Sequence, residues 1–229
     1  MTGSHDEAVR GDAVLGDIYD ARFGKGERRT KSEMWGQVVR YLGRFIDADR
    51  PVLDVACDAG YFIRHVRAVE RWATDIRDVS ADLPGGVRFV QADGLTLRDV
   101  LPNGHFGTVF MSNYLEHLAS SDEVVQQIRV ARDLLAPGGR LIVVQPNIRL
   151  TGAGYWDFID HHVPLTERSL VEAGDLAGLR TVRLITRFLP YTTKSRLPQT
   201  SGLVRMYLAL PLAWRLLGKQ TLYVAERSA

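Results

Sequence analysis

Asp54 ends a short apolar run and precedes a turn, in Pro51–Val52–Leu53–Asp54–Val55–Ala56–Cys57–Asp58–Ala59–Gly60–Tyr61–Phe62. This order predicts a strand, a tight turn and a helix through Ile63, Val66 and Val69. A strand that feeds a helix through a glycine-bearing turn cradles a nucleotide-like ligand. Ala73–Thr74–Asp75–Ile76 is a second strand end with an acid, 15 residues after Gly60. A carboxylate there accepts both hydroxyls of a ribose. Together the two elements predict an adenosine-containing cofactor. Asp58 argues against a dinucleotide, because its charge repels a bridging pyrophosphate. The plainer reading of Asp54 is an acid that caps the helix or bonds the turn.

Two further groups could do chemistry. His117 stands in Glu116–His117–Leu118; a neutral imidazole takes a proton from a substrate hydroxyl, or simply packs on a helix surface. Glu116, about 100° away around such a helix, reads as structural. Tyr155–Trp156–Asp157–Phe158–Ile159–Asp160–His161–His162 is dense in aromatics, acids and histidines. Its rings stack on sugar faces or anchor the loop. Asp157, Asp160, His161 and His162 supply a general base, sugar contacts or a magnesium site, or form a hydrogen-bonded turn before a helix opening at Thr166. Carboxylates and waters suit magnesium, and imidazole suits zinc better.

The elements that must hold these residues alternate as βα units over residues 51 to 147. Val87–Gly94 reads as a third strand, Gly107–Leu118 as a fourth running into a helix, and Leu134–Val144 as a helix end, Pro-Gly-Gly turn and fifth strand. The helix before that turn carries Val124, Val125, Ile128, Ala131, Leu134 and Leu135 on its buried side. Ahead of the core, residues 1 to about 16 read as loosely ordered, Ile18–Gly24 as an aromatic-bearing cluster and Lys25–Lys31 as a basic loop. A helix over Ser32–Phe45 has Trp35, Val38, Val39, Leu42 and Phe45 on one face. Beyond the core come a breaker-rich loop at Pro146–Gly154, a helix from Thr166 ended by Gly178, a strand over Thr181–Phe188 and a final strand at Thr221–Ala225. Leu203–Leu217 is apolar on nearly every face. It is too short and too broken by Arg205, Pro211 and Arg215 to span a bilayer, which leaves core packing, a homodimer face or contact with a membrane surface.

Composition bounds the answer. The 229 residues are 45% apolar and 24% charged, suiting one α/β domain, and the net charge of +2 gives no argument for nucleic acid. Cys57, the single cysteine, excludes an internal disulfide and a cysteine metal cage. The polar, acidic start Met1–Glu7 has no secretory signal, and a cytoplasmic enzyme is expected.

These motifs, in this order, resemble class I S-adenosylmethionine-dependent methyltransferases, firmly over residues 50 to 147 and loosely beyond. That family's first loop usually reads Asp-x-Gly-x-Gly-x-Gly. Here Ala56 and Asp58 stand at the first two glycine positions and Gly60 at the third. A left-handed Ala56 would cost about 1 kcal/mol or more, while Asp58 tolerates that region better. The resemblance implies a seven-stranded, mostly parallel, Rossmann-like sheet with its last strand antiparallel. It divides the chain into an N-terminal cap segment (1–48), a cofactor-binding core (49–147) and an acceptor-binding part with the C-terminal strands (148–229). It implies that Tyr19, Asp54, Ala56, Gly60, Asp75, Ile76, Ala92, Asp93, Gly94 and Ser112 hold the cofactor, Asp93 taking the adenine amino group. His117, Asp160 and His161 become the catalytic candidates, and Tyr155, Trp156, Asp157 and His162 the substrate-binding ones. Arg28–Arg29–Thr30–Lys31 would close over the cofactor, a cation meeting its methionine carboxylate.

Gln145–Arg149, Tyr155–Phe158, Asp160–Glu167 and Phe188–Pro198 further resemble a bacterial subgroup associated with glycan and glycolipid assembly, including enzymes of the mycobacterial methylated-polysaccharide kind. That implies methyl transfer to a hydroxyl of a sugar or oligosaccharide, with magnesium an open question. A lipid-linked or small aromatic acceptor, and a non-catalytic cofactor-binding role, are the alternatives. Apolar surface beside the mouth of the site would favour lipid.

Overall fold

The computed structural model describes residues 25–191 and 200–228. Helix α1 (Lys25–Leu42) leads through a short 3-10 turn (Gly43–Phe45) into β1 (Val52–Val55), β2 (Arg71–Asp75) and β3 (Val87–Gln91). Then come β4 (Phe106–Ser112), α2 (Ser121–Leu134), β5 (Leu135–Pro146), α3 (Glu167–Leu176) and β6 (Leu179–Leu189). Two short helices, α4 (Ser201–Ala209) and α5 (Pro211–Leu217), precede β7 (Gln220–Arg227). The seven strands form one sheet in the order β3-β2-β1-β4-β5-β7-β6. Every pairing is parallel except those of β7, which runs antiparallel to both β5 and β6.

The strands are apolar on both faces because both faces are covered. Leu53, Val109, Met111, Leu141 and Val143 point to the side packed by α2 and α3. Val52, Phe110, Ile142 and Val144 point to the other, where α1 lays Val38, Val39 and Leu42 on the sheet. Phe110 is stacked on Phe62 at 3.8 Å between centroids and meets Trp35 edge-on at 6.0 Å. Local chemistry sets the helix ends. Ser120 accepts from the Glu123 amide to start α2, and Thr166 and Ser169 form a capping box at α3. Gly178, at φ +76°, takes the left-handed position that closes α3.

Four local expectations are corrected. The segment after Gly60 is a series of turns over residues 58–65 rather than a helix. Its backbone closes only a few helical bonds, such as Arg64 N–H to Gly60 O (3.0 Å), before β2 begins at Arg71, and Val69 is 63% exposed. Lys25–Lys31 is the start of α1, not a loop; Arg29 pairs one turn on with Glu33 at 3.2 Å. The chain leaving β4 makes only a three-residue 3-10 turn, Leu115–His117, because the capping at Ser120 starts α2 later. The stretch after Pro146 is helical in short pieces, Ile148–Thr151 and Gly152–Asp157, since Asn147 caps the first by accepting from the Arg149 amide. Among the described residues, no helix is long and apolar enough to cross a membrane. Tyr19, the remainder of Ile18–Gly24, and Thr192–Pro198 of the glycan-type stretch lie outside the described residues.

Candidate active site

A cavity of about 1490 Å³ opens at the carboxyl ends of β1 to β4, where a doubly wound sheet places its ligands. Ligand pockets commonly run to about 300–1,000 Å³, so there is room for a cofactor and a second molecule together.

The cofactor end is built from strand termini. The β1 turn carries three left-handed residues: Ala56 (φ +54°), Asp58 (+48°) and Gly60 (+68°). The chain thus keeps the backbone path of a glycine loop with only one glycine, and Ala56 is strained by about 1 kcal/mol. Gly60 does its work in the turn and is not part of the cavity lining; a Cβ there would run into Leu83. Asp54 is buried and accepts from the Ile63 amide at 3.3 Å. Burial pushes its carboxyl well above the usual range, only partly offset by that amide, and Asp75 and Asp58 repel its charge further.

Asp75 is also buried, and the chain itself already engages it. Its Oδ2 accepts from the Asp58 amide (3.0 Å) and its Oδ1 from the Arg77 amide (3.0 Å) and guanidinium (3.2 Å). Arg77 also reaches Asp58 at 3.1 Å. Burial works against the guanidinium charge, but the two carboxylates outweigh it and hold Arg77 above its usual range. Asp58, the residue at a glycine position of the family's loop, is therefore clasped to Asp75 through Arg77. Asp93 lines the cavity while accepting from the Leu95 amide at 2.8 Å. Gly94 lies under Tyr114, whose hydroxyl a Cβ would strike. Ile76, Ala92 and Ser112 complete this part of the wall, and Lys31 stands over the Tyr61 ring at 4.7 Å from its centroid. The residues present fit the sulfonium cofactor: acids at or beside strand ends and an apolar floor at Phe62 and Phe110.

The second wall is polar and comes from two distant segments. Glu116 and His117 sit on the 3-10 turn after β4, while Asp160, His161 and His162 follow the Gly152–Asp157 turn. The Glu116 carbonyl accepts from the amides of both His162 (2.8 Å) and Val163 (3.1 Å), which pins the segments together. His117 Nδ1 lies 2.8 Å from the Asp160 carbonyl oxygen and 3.4 Å from its carboxylate. Glu116 is 1% exposed; its Oε2 accepts from Gln145 Nε2 at 2.8 Å. Burial pushes its carboxyl up, with His117 and Gln145 pulling in the other direction.

Tyr155, Trp156 and Asp157 fall off the cavity lining. Tyr155 is fully buried, its hydroxyl donating to Val163 O at 2.6 Å, and it serves to fold the loop. Trp156 is 52% exposed with its ring edge on Tyr155, and Asp157 is exposed. Glu116, read as structural from helical geometry, instead joins the wall, because successive residues of a 3-10 turn can both face one cavity. The signal for it was Gln145, a polar residue inside the buried run Leu141–Pro146. A third wall was foreseen only in outline. Leu203, Val204, Met206, Tyr207, Leu210 and Leu217 of α4 and α5 line the cavity, while Leu208 and Trp214 turn into the core.

This fold and site define a class of protein: a class I S-adenosylmethionine-dependent methyltransferase. The family model described as a methyltransferase domain matches residues 27–184, and the chain belongs to that family. No curated protein matches the sequence. Among solved structures the chain is similar to a SAM-dependent methyltransferase from Archaeoglobus fulgidus, at 16% identity and TM-score 0.60, over 82% of this chain and 92% of that one. It is similar to an O-methyltransferase family protein from Burkholderia thailandensis, at 19% identity and TM-score 0.60, over 85% of this chain and 55% of that one. It is also similar to the geranyl diphosphate C-methyltransferase of Streptomyces coelicolor, solved with Mg2+, geranyl diphosphate and S-adenosyl-L-homocysteine, at 14% identity and TM-score 0.59, over 83% of this chain and 77% of that one. At these identities the likeness is one of fold.

Proposed function

We propose that this methyltransferase methylates a hydroxyl of a sugar carried on an apolar, lipid-like tail. One observation carries the reading: the same cavity is lined both by carboxylates and imidazoles and by aliphatic side chains from α4 and α5. A free sugar has nothing to offer the aliphatic wall, and a plain lipid nothing to offer the polar one. The sugar half rests on the glycan-type stretches of the sequence, and the lipid half on the apolar residues at the cavity's edge.

S-adenosylmethionine, when bound, supplies an electrophilic methyl on a positively charged sulfur. The chain's own residues do the rest. Asp75 and Asp93 orient the nucleoside end, and Lys31 offers a cation to the methionine carboxylate. Holding the acceptor oxygen in line with the methyl supplies much of the rate. An alkanol hydroxyl is a poor nucleophile, so its proton must leave as the oxygen–carbon bond forms. The wall of His117, Asp160, His161 and Glu116 receives that oxygen and its proton.

The test is a labelled-cofactor assay on matched acceptors: free sugars, the same sugars as long-chain alkyl or polyprenyl glycosides, and the aglycone alcohols. Preferential labelling of the lipid glycosides is expected. Equal labelling of the free sugars removes the lipid half, and labelling of the alcohols alone removes the sugar half. Calorimetry with S-adenosylmethionine separates both from a chain that does not bind the cofactor.

A further inference from the structure

We propose that Glu116, His117 and His161 form a binding site for a divalent transition-metal ion, with zinc the best-matched. The ligand atoms these three residues can offer all lie within 4.8 Å of one another. This cluster shares only His161 with the Asp157, Asp160, His161 and His162 group in which the sequence allows a magnesium site.

Orientation makes the cluster more than a proximity. A carbonyl oxygen only accepts, so His117 Nδ1, 2.8 Å from Asp160 O, carries the ring's proton in the neutral imidazole. Its Nε2 then presents a lone pair. Facing it at 3.9 Å is Glu116 Oε1, buried and without a hydrogen-bond partner. Two acceptor atoms this close, one of them fully buried, are stabilised by a cation or a proton donor between them. At 3.9 Å the gap is too wide for a shared proton, which needs about 2.7–3.2 Å. It is close to the separation of about 3.4 Å between two ligands of a tetrahedral ion with bonds near 2.1 Å. His161 brings the third donor, its ring centroid 5.1 Å from that of His117.

The supports have the form expected around a metal, where each ligand is held by a further hydrogen bond. His117 is fixed through Asp160, and Glu116 through Gln145 at 2.8 Å. The backbone bonds from His162 and Val163 to Glu116 O keep the His161 segment in place. Two imidazoles and one carboxylate select zinc or a neighbouring transition metal over magnesium, which prefers oxygen throughout. Three protein ligands leave a position open toward the cavity. The ion's role, unlike its binding, rests on the hydroxyl-methylation reading. There it would bind the acceptor oxygen and acidify it. The O–H bond breaks with the proton passing to Asp160 or solvent, and the oxygen–methyl bond forms as the sulfur–methyl bond breaks.

The test uses the full chain, treated with chelator and titrated with Co2+, whose visible absorption reports low coordination number. One Co2+ per chain, displaced by Zn2+ and not by Mg2+, is expected. Glu116→Gln and His161→Gln should each weaken Co2+ binding at least about 100-fold, and Gln145→Ala about 10- to 100-fold, the range for an outer-shell partner. Circular dichroism and cofactor calorimetry on each variant establish that it is folded; if one is not, the other two decide. Wild-type chain that is folded but takes up no Co2+, or binding unchanged in the folded variants, overturns the site. Metal binding without hydroxyl methylation would leave the site standing and remove the proposed function. Methylation undiminished in the chelated chain would do the reverse to the ion's role.

Discussion

The two ends of the cavity are built on different plans. At the cofactor end, each acid sits at a strand terminus and is bonded to its own neighbourhood: Asp54 to Ile63, Asp75 to Asp58 and Arg77, Asp93 to Leu95. These contacts span at most 19 residues, and all follow from strand-turn geometry. The other end joins residues 43 apart at His117 and Asp160, and adds helices that begin only at Ser201. A locally determined end suits a ligand common to a whole family, and an end assembled from distant pieces suits a ligand particular to one member.

The contrast can be tested from its strongest point downward. His117→Ala should lower kcat by about 10²–10⁴-fold while cofactor affinity stays near wild type; a matching loss of cofactor affinity would mean that the two ends are not separable. Asp75→Ala should do the opposite, weakening cofactor binding by about 1.5–3 kcal/mol in calorimetry, with the KM for acceptor little changed at saturating cofactor. Met206→Ser, on the apolar wall, should reduce kcat/KM for a lipid glycoside by about 5-fold, corresponding to about 1 kcal/mol of partly lost apolar burial. The same change should leave a free-sugar acceptor unaffected, and an equal loss on both would show that α4 serves packing alone. The smallest effect is expected from Ala56→Gly. It relieves a left-handed alanine and should raise stability by up to about 1 kcal/mol in denaturant melts; a destabilised variant would show that the strain at φ +54° is not felt.

The sheet was legible in the sequence because its central strands are apolar on both faces and because Asp54, Asp75 and Asp93 fall at or beside the ends of the first three. The pairing of β7 with β5 and β6 matched the antiparallel last strand implied by the family resemblance. What periodicity could not give was the length of the connections. Ile63, Val66 and Val69 keep helical spacing, yet too little chain remains before Arg71 for a helix to form and return. The same limit hid Glu116: a helix would turn it away from His117's side, and only a turn as short as Leu115–His117 lets both line the cavity. Tyr155, Trp156 and Asp157 belong to the loop that reaches the cavity but not to its inward side, which is decided by Tyr155 burying itself against Val163 and Leu165. Leu203–Leu217 gave its break at Pro211, but nothing in an all-round apolar run says which residues meet the core and which the cavity.

The Asp58–Arg77–Asp75 clasp bears on turnover. Around the cofactor end stand four acids, Asp54, Asp58, Asp75 and Asp93, with Arg77 and Lys31 as the cations beside them. Arg77 spends its charge on two of those acids, which tempers the field without abolishing it. On the proposed placement, S-adenosylmethionine would carry a positive sulfur into this field, and the spent cofactor would leave as a neutral thioether. Each methyl transfer therefore removes part of the attraction that held the ligand, so the charge lost in the reaction helps to empty the site for the next cycle.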